Sequence, residues 1–146
     1  MYHVWKKFLP LIMLICCPIS GYGAEQVRII NARVAEAPPV MEMNAAYLDI
    51  NNDTPSPVTL VSVSSADFSR IEIHRSVIEN GMAKMKPTGP LTIAAHSRQI
   101  FKPGGYHLML FKPRIHLHAG DIVGLKFHFA NGTTIEADAK VVKISQ

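Results

Sequence analysis

The fold class of this chain is decided by residues 122–137, which read IVGLKFHFANGTTIEA. On both sides of Asn131-Gly132, apolar and polar residues alternate with a period of two, which is typical of strands that bury one face. Asn-Gly favours a two-residue hairpin turn because both residues tolerate positive φ. The segment therefore predicts two antiparallel strands joined by a tight turn at Asn131-Gly132.

The same alternation recurs along the chain, and no amphipathic helix pattern interrupts it. The predicted strands are Val27–Val34, Ala45–Asn51, Val58–Ser64, Ser69–His74, Met82–Lys86, Leu91–Ile93, Arg98–Phe101, Tyr106–Phe111, Ile122–Phe129, Thr133–Ala137 and Lys140–Ile144. Turn-forming clusters rich in Asn, Pro and Gly separate most of them. Short, closely spaced strands predict an all-β antiparallel sandwich or Greek-key barrel.

The N-terminus has the organisation of a secretory signal peptide. A basic start, Met1 to Lys7, precedes the apolar run Phe8–Ile19 and the small-residue segment Ser20–Ala24. We expect residues 1–24 to be a cleaved signal, and residues 25–146 to be one domain. Cys16 and Cys17 raise the alternative of lipoprotein processing, but the bulky Leu14-Ile15 before them argues against it.

Cleavage of this signal changes which functions the composition allows. Removing Lys6 and Lys7 from the 15 basic residues leaves 13 against 11 acidic residues, too weak and dispersed a charge for a nucleic-acid protein. Both cysteines leave with the signal, so we expect neither a thiolate metal site nor a blue-copper centre. No apolar run long enough to span a membrane follows Ala24, so we expect no stable membrane insertion.

The histidines and methionines are then the side chains with distinctive chemistry. In Tyr106–Leu110, His107 and Met109 share one strand face, opposite Leu108. Two residues on one strand face are about 7 Å apart at the backbone, at roughly 3.3 Å per residue. A single metal ion can therefore bridge this imidazole and this thioether.

A second pair lies upstream. Ile71 and Ile73 are expected to face the core, which places His74 on the opposite, polar face, and Met85 follows on the returning segment. Two imidazoles and two thioethers on adjacent strands form a neutral, soft ligand set, which suits copper(I) better than hard ions or zinc. His74, Met85, His107 and Met109 are thus the candidate metal ligands.

Each of these residues also has an ordinary interpretation. A single methionine in a strand usually fills the core, and a single histidine at a strand end is usually solvated. If all four are incidental, the chain is a secreted β-sandwich interaction or assembly module without a functional metal site. A third alternative, a copper redox enzyme, requires an open coordination position, and we find no nucleophile–base, paired-carboxylate or phosphate-binding motif.

The remaining histidines and methionines are weaker candidates. His116 and His118 are predicted to share a strand face beside the turn at Ala119–Asp121, where a secondary divalent-metal site is less favoured than a simple exposed hairpin. Met41 and Met43 are interpreted as packing residues. His96 and His128 have no partner that spacing identifies.

The spacing of the four candidate ligands resembles a known family. Ten residues separate His74 from Met85, twenty-one separate Met85 from His107, and one separates His107 from Met109. This spacing is similar to the signature of the periplasmic copper chaperones called PCu(A)C. The flanking segments Ile71–His74 and Lys102–Leu110 also resemble that family's hallmark segments. The resemblance extends from about Asn31 to Val142.

This resemblance implies a cupredoxin-like Greek-key β-sandwich that is not an enzyme and binds one Cu(I) per chain near its surface through His74, Met85, His107 and Met109. It implies that the protein carries copper in the periplasm to an acceptor protein, such as a cytochrome oxidase subunit or its assembly factor. Arg75, Ser76 and Ile78 differ from the family, whose members often carry extra methionines just after the first histidine.

Overall fold

The computed structural model describes residues 26–144 and contains no helix in that range. Its ten strands are β1 (Val27–Ala35), β2 (Met43–Asn52), β3 (Val58–Ser64), β4 (Phe68–Glu79), β5 (Met82–Pro87), β6 (Leu91–Ile93), β7 (Ser97–Phe101), β8 (Tyr106–Pro113), β9 (Ile122–Phe129) and β10 (Thr134–Val142). The predicted all-β class is confirmed. The expected signal peptide at 1–24 lies outside the described residues.

The strands follow the hydrogen-bonded order β5-β4-β8-β7-β2-β1-β10-β9-β3-β6. β3 and β4 are far apart in this order but contact each other, so the sheet folds over into a sandwich around one core. Some neighbouring strands, such as β4 and β8 or β3 and β9, are distant in sequence. The chain therefore crosses between distant parts of the sheet instead of forming successive hairpins only. Two pairings, β1 with β10 and β7 with β8, are parallel among otherwise antiparallel neighbours.

The core follows from the alternation read in the sequence. In β9, Val123, Leu125, Phe127 and Phe129 are buried, while the residues between them are exposed or half-buried. Ala46, Leu48 and Ile50 of β2 and Leu108 and Leu110 of β8 complete the centre of the core. Burial of these side chains contributes roughly 1.5–3 kcal/mol for each large one, which makes this packing the main source of stability.

The end of the chain differs from the prediction. Thr133–Ala137 and Lys140–Ile144 were expected as two strands, but β10 is continuous from Thr134 to Val142. Asp138 pairs with Gly124 and points outward, so it keeps both the hydrogen bonding and the alternation. A polar residue on the solvent side of a strand does not interrupt it.

The tightest hairpin also lies elsewhere than expected. β9 and β10 do form a hairpin, but four residues connect them, and only Gly132 has positive φ, at 85°. The two-residue Asn-Gly turn is at Asn80-Gly81, with φ of 52° and 76°, between β4 and β5. β4 therefore continues past His74, and this histidine lies within a long hairpin rather than at a strand end.

Between residues 26 and 144, no helix is long and apolar enough to cross a membrane.

Candidate metal centre

The two histidines singled out by the sequence lie side by side. His74 of β4 is directly opposite His107 of β8 in the antiparallel register, and their ring centroids are 5.9 Å apart. Residues directly opposite in an antiparallel pair point to the same face of the sheet. The neighbours Ile73 and Leu108 point to the other face, into the core. The pairing thus brings together two imidazoles that are 33 positions apart in the sequence.

The two methionines belong to the same face. Met109 is opposite Glu72, two residues from His74, and Met85 of β5 is opposite Ser76, two residues beyond His74. Because side chains alternate with a period of two, Met109 and Met85 project on the same side as the histidines. All four predicted ligands therefore share one face of the three strands β5, β4 and β8.

Burial is uneven across this face. His107 is 2% exposed and His74 is 9% exposed, whereas Met85 is 63% exposed. Phe111 lies beside His74, with ring centroids 6.3 Å apart, and contributes to its cover. The face is thus graded, with buried imidazoles on one side and an exposed thioether on the other.

Hydrogen bonds determine which nitrogen of each histidine carries the proton. His74 Nε2 is 2.8 Å from Glu72 Oε2, and His107 Nδ1 is 3.0 Å from the Gly105 carbonyl oxygen. An ionised carboxylate and a carbonyl only accept hydrogen bonds, so both of these nitrogens donate. The other two nitrogens, His74 Nδ1 and His107 Nε2, are then unprotonated when the rings are neutral, and both are buried without a hydrogen-bond partner.

Two pKa shifts follow from this arrangement. The hydrogen bond from His74 and the neighbouring Arg70 guanidinium hold the pKa of Glu72 below its ordinary value, so this carboxylate stays ionised as an acceptor. Burial lowers the pKa of His107, and the nearby His74 lowers it further, against the opposing effect of the hydrogen bond to Gly105. The His107 ring is therefore kept neutral, with a lone pair on Nε2.

The lowered pKa of His107 predicts how stability depends on pH. Below the ordinary value of 6.5, the unfolded chain takes up a proton on this histidine more readily than the folded protein does. The free energy of unfolding of the metal-free protein is therefore expected to fall as pH decreases through 6.5 and towards 5. Urea titrations between pH 7.5 and 5 measure this slope.

Two variants test the origin of that slope. His107→Leu should flatten it, because leucine does not titrate. His96→Asn is the matched control, since His96 is exposed, has a φ of 49°, and asparagine tolerates that conformation. A slope that survives in His107→Leu contradicts this assignment.

The other candidates have different surroundings from those expected. His116 and His118 lie in the loop before β9, not in a strand, although their rings are in contact. Met41 and Met43 are 48% and 36% exposed, so neither is a core-packing residue. His128 has a partner that spacing did not reveal, Ser64 Oγ at 2.8 Å across the β3–β9 pair.

Glu72, the acceptor that orients His74, was not singled out from the sequence. The signal that could have found it is its position two residues from His74 on the same strand face. Acceptors that orient ligating histidines are a regular feature of metal sites.

Comparison with known proteins identifies the family of this chain. The chain matches the family model described as "Putative lipoprotein LpqE-like" over residues 27–141. It is 34% identical over 99 residues to Uncharacterized protein RP573 of Rickettsia prowazekii, a match covering 67% of this chain and 55% of that protein. The chain thus spans about half the length of that relative.

Solved structures resemble the fold closely. The solution structure of CuI-DR1885 from Deinococcus radiodurans has a TM-score of 0.69 at 29% identity, covering 85% of this chain and 83% of that one. The copper-bound PCuAC domain from PmoF2 has a TM-score of 0.70 at 20% identity, covering 84% and 97%, a likeness of fold alone. The sandwich is thus that of a cupredoxin-like PCu(A)C domain. The chain belongs to the LpqE-like group of the PCu(A)C family.

Proposed function

We propose that this protein is an exported metallochaperone that binds one Cu(I) per chain through His74, Met85, His107 and Met109. The observation that carries the proposal is the pair of buried imidazole nitrogens without partners, His74 Nδ1 and His107 Nε2. A buried polar atom left unpaired costs about 1–3 kcal/mol, so such atoms in a native protein have a reason. A bound cation between the rings supplies one.

The ligand types favour copper(I) over other ions. Within residues 26–144, no three His, Cys, Asp or Glu side chains are placed to hold a metal together. In the proposed site, the methionine sulfurs therefore complete the coordination that His74 and His107 begin. Thioether and imidazole are soft to borderline neutral ligands, which select copper(I) and suit calcium or magnesium poorly. The Deinococcus relative, whose structure carries CuI, agrees with this choice.

The graded burial of the face suits a carrier better than a permanent cofactor site. The ion is the cargo, and the buried imidazoles hold it while the exposed thioether of Met85 faces solvent. An acceptor's ligands can then approach from the Met85 side and replace that sulfur first. Transfer through such shared coordination needs no unfolding of the donor.

We further propose that the protein acts in the periplasm and delivers copper to an acceptor such as a cytochrome oxidase subunit or its assembly factor. The expected signal at residues 1–24 supports export. The family description refers to lipoproteins, which revives the alternative processing at Cys16 or Cys17. The mass of the exported protein separates cleavage after Gly23 or Ala24 from a lipid-modified N-terminal cysteine.

Copper(I) uptake tests the site. The exported protein is expected to take one equivalent of Cu(I) from a chromophoric chelator, and Met109→Ala is expected to weaken this binding at least about tenfold. Met82→Ala is the matched control, because Met82 of β5 is opposite Glu79 and so projects from the other face of the sheet than the proposed ligands. Equal affinity in Met109→Ala and the parent would remove Met109 from the site.

The rival interpretation is an interaction module in which histidine and methionine are incidental. It predicts no stoichiometric copper(I) uptake by the parent protein. It also gives no reason for two adjacent buried imidazoles with unpaired nitrogens, which is why the carrier is preferred.

A further inference from the structure

A second pair of histidines lies away from the copper(I) site. His116 and His118 are exposed residues of the loop between β8 and β9. Their ring centroids are 4.8 Å apart, with the ring planes at 89°. We propose that this pair is a second metal site that binds a borderline divalent cation, Cu²⁺ most tightly, with two imidazole ligands from the protein and water in the remaining positions.

The ring separation fits one shared ion. An ion about 2.0–2.1 Å from a nitrogen of each ring places the two centroids roughly 4.5 to 5.2 Å apart, for angles at the metal of about 90° to 110°. The observed 4.8 Å lies within that interval. The separation of the two rings is therefore compatible with both imidazoles binding the same ion.

The backbone of this loop is held in place. Leu117, between the two histidines, is 4% exposed and packs into the core, so its neighbours are directed outwards. The His118 amide donates to Asp121 Oδ2 at 2.8 Å, and the Asp121 amide donates to the His118 carbonyl at 3.0 Å. Preorganised ligands lose less conformational freedom on binding than ligands on a mobile segment.

The surroundings supply one further polar group. Both histidines line a surface cleft of about 410 Å³ that also contains Glu36 and Lys143. Glu36 Oε2 is buried and has no hydrogen-bond partner, so it can accept a hydrogen bond from a metal-bound water or from an imidazole N–H. Lys143 lines the same cleft and carries the opposite charge to Glu36.

The ligand types distinguish this site from the copper(I) site. Its proposed ligands are imidazole nitrogens, without a thioether. Among the first-row divalent ions, Cu²⁺ has the highest affinity for such nitrogen ligands. The two sites are also separate in space. His107 is at the start of β8 and His116 follows its end, a separation of roughly 20 Å at about 3.3 Å per strand residue.

A titration with Cu²⁺ alone tests this inference. The exported protein carrying His107→Leu, which removes one imidazole of the copper(I) site, is expected to bind one equivalent of Cu²⁺. Adding His116→Ala and His118→Ala to that protein should weaken binding at least about tenfold. Adding His96→Asn instead should change nothing, because His96 is an exposed histidine of another turn.

Electron paramagnetic resonance of the bound Cu²⁺ provides the direct signature. Hyperfine coupling to two imidazole nitrogens is expected, falling to one when either His116 or His118 is replaced. Unchanged affinity in the double substitution, or an unchanged nitrogen signature in both single substitutions, would overturn the proposal. Neither result bears on the copper(I) site, which is measured separately by Cu(I) uptake in the protein with His107 intact.

Discussion

Replacing His107 with leucine is expected to weaken copper(I) binding by about 100-fold or more, while the metal-free protein remains at least as stable as the parent. The first effect is the loss of an imidazole ligand. The second arises because His107 is 2% exposed and its Nε2 is unpaired, so leucine removes a desolvation cost without leaving a large cavity. The Gly105 carbonyl still accepts a hydrogen bond from the Ser76 amide.

Thermal unfolding with and without Cu(I) measures both effects together. Leu108→Ala is the matched control, because Leu108 is adjacent in β8, is 0% exposed, and points into the core. It should cost about 2–5 kcal/mol of stability and leave the copper(I) ligands in place. If His107→Leu instead unfolds at a lower temperature and keeps its copper affinity, His107 is a structural residue and the proposed site is wrong.

Replacing Asn52 with aspartate is expected to lower the free energy of unfolding by about 3–5 kcal/mol, the scale of an uncompensated buried charge. Asn52 is 0% exposed, and its side-chain amide nitrogen lies 2.8 to 3.2 Å from the carbonyl oxygens of Ser56, Ile93 and Ala94, which share its two N–H donors. A carboxylate cannot donate to any of them, and its charge would repel all three.

Asn131→Asp is the control for that substitution. The Asn131 side-chain oxygen accepts from the Thr133 amide at 3.0 Å in an exposed turn, and a carboxylate accepts the same bond. Urea unfolding of both variants should therefore show a large loss for Asn52→Asp and little change for Asn131→Asp. Equal stability of the two would mean that the Asn52 hydrogen bonds do not hold the β2 end to the β6–β7 connection.

The success of the sequence predictions depended on whether a strand has one buried face. Val58–Ser64, Leu91–Ile93 and Ile122–Phe129 were predicted with the bounds that the structure has. In Ile122–Phe129, buried residues alternate with exposed or half-buried ones along the whole strand. β4 was ended too early, at His74, and continues to Glu79. Its second half pairs with β5, whose residues are all exposed, so no hydrophobic period marks that hairpin.

The candidate site, too, was predictable from the sequence only in part. Strand alternation placed His107 and Met109 on one face without any knowledge of the fold, and resemblance supplied His74 and Met85. Pairing of His74 with His107 depends on the β4–β8 register, which joins segments distant in the chain. Local sequence carries no information about that register unless a tight turn connects the two strands.

The sequence by itself determined that this protein is all-β and which side chains share a strand face, because both follow from a period of two. Only the tertiary structure decided that the His74 and His107 face is buried and that Glu72 and Gly105 orient the two rings. It also decided that Asn52, which follows the predicted strand Ala45–Asn51, is a buried anchor. Burial and hydrogen-bond partners depend on which distant strands cover a face, and alternation alone does not specify them.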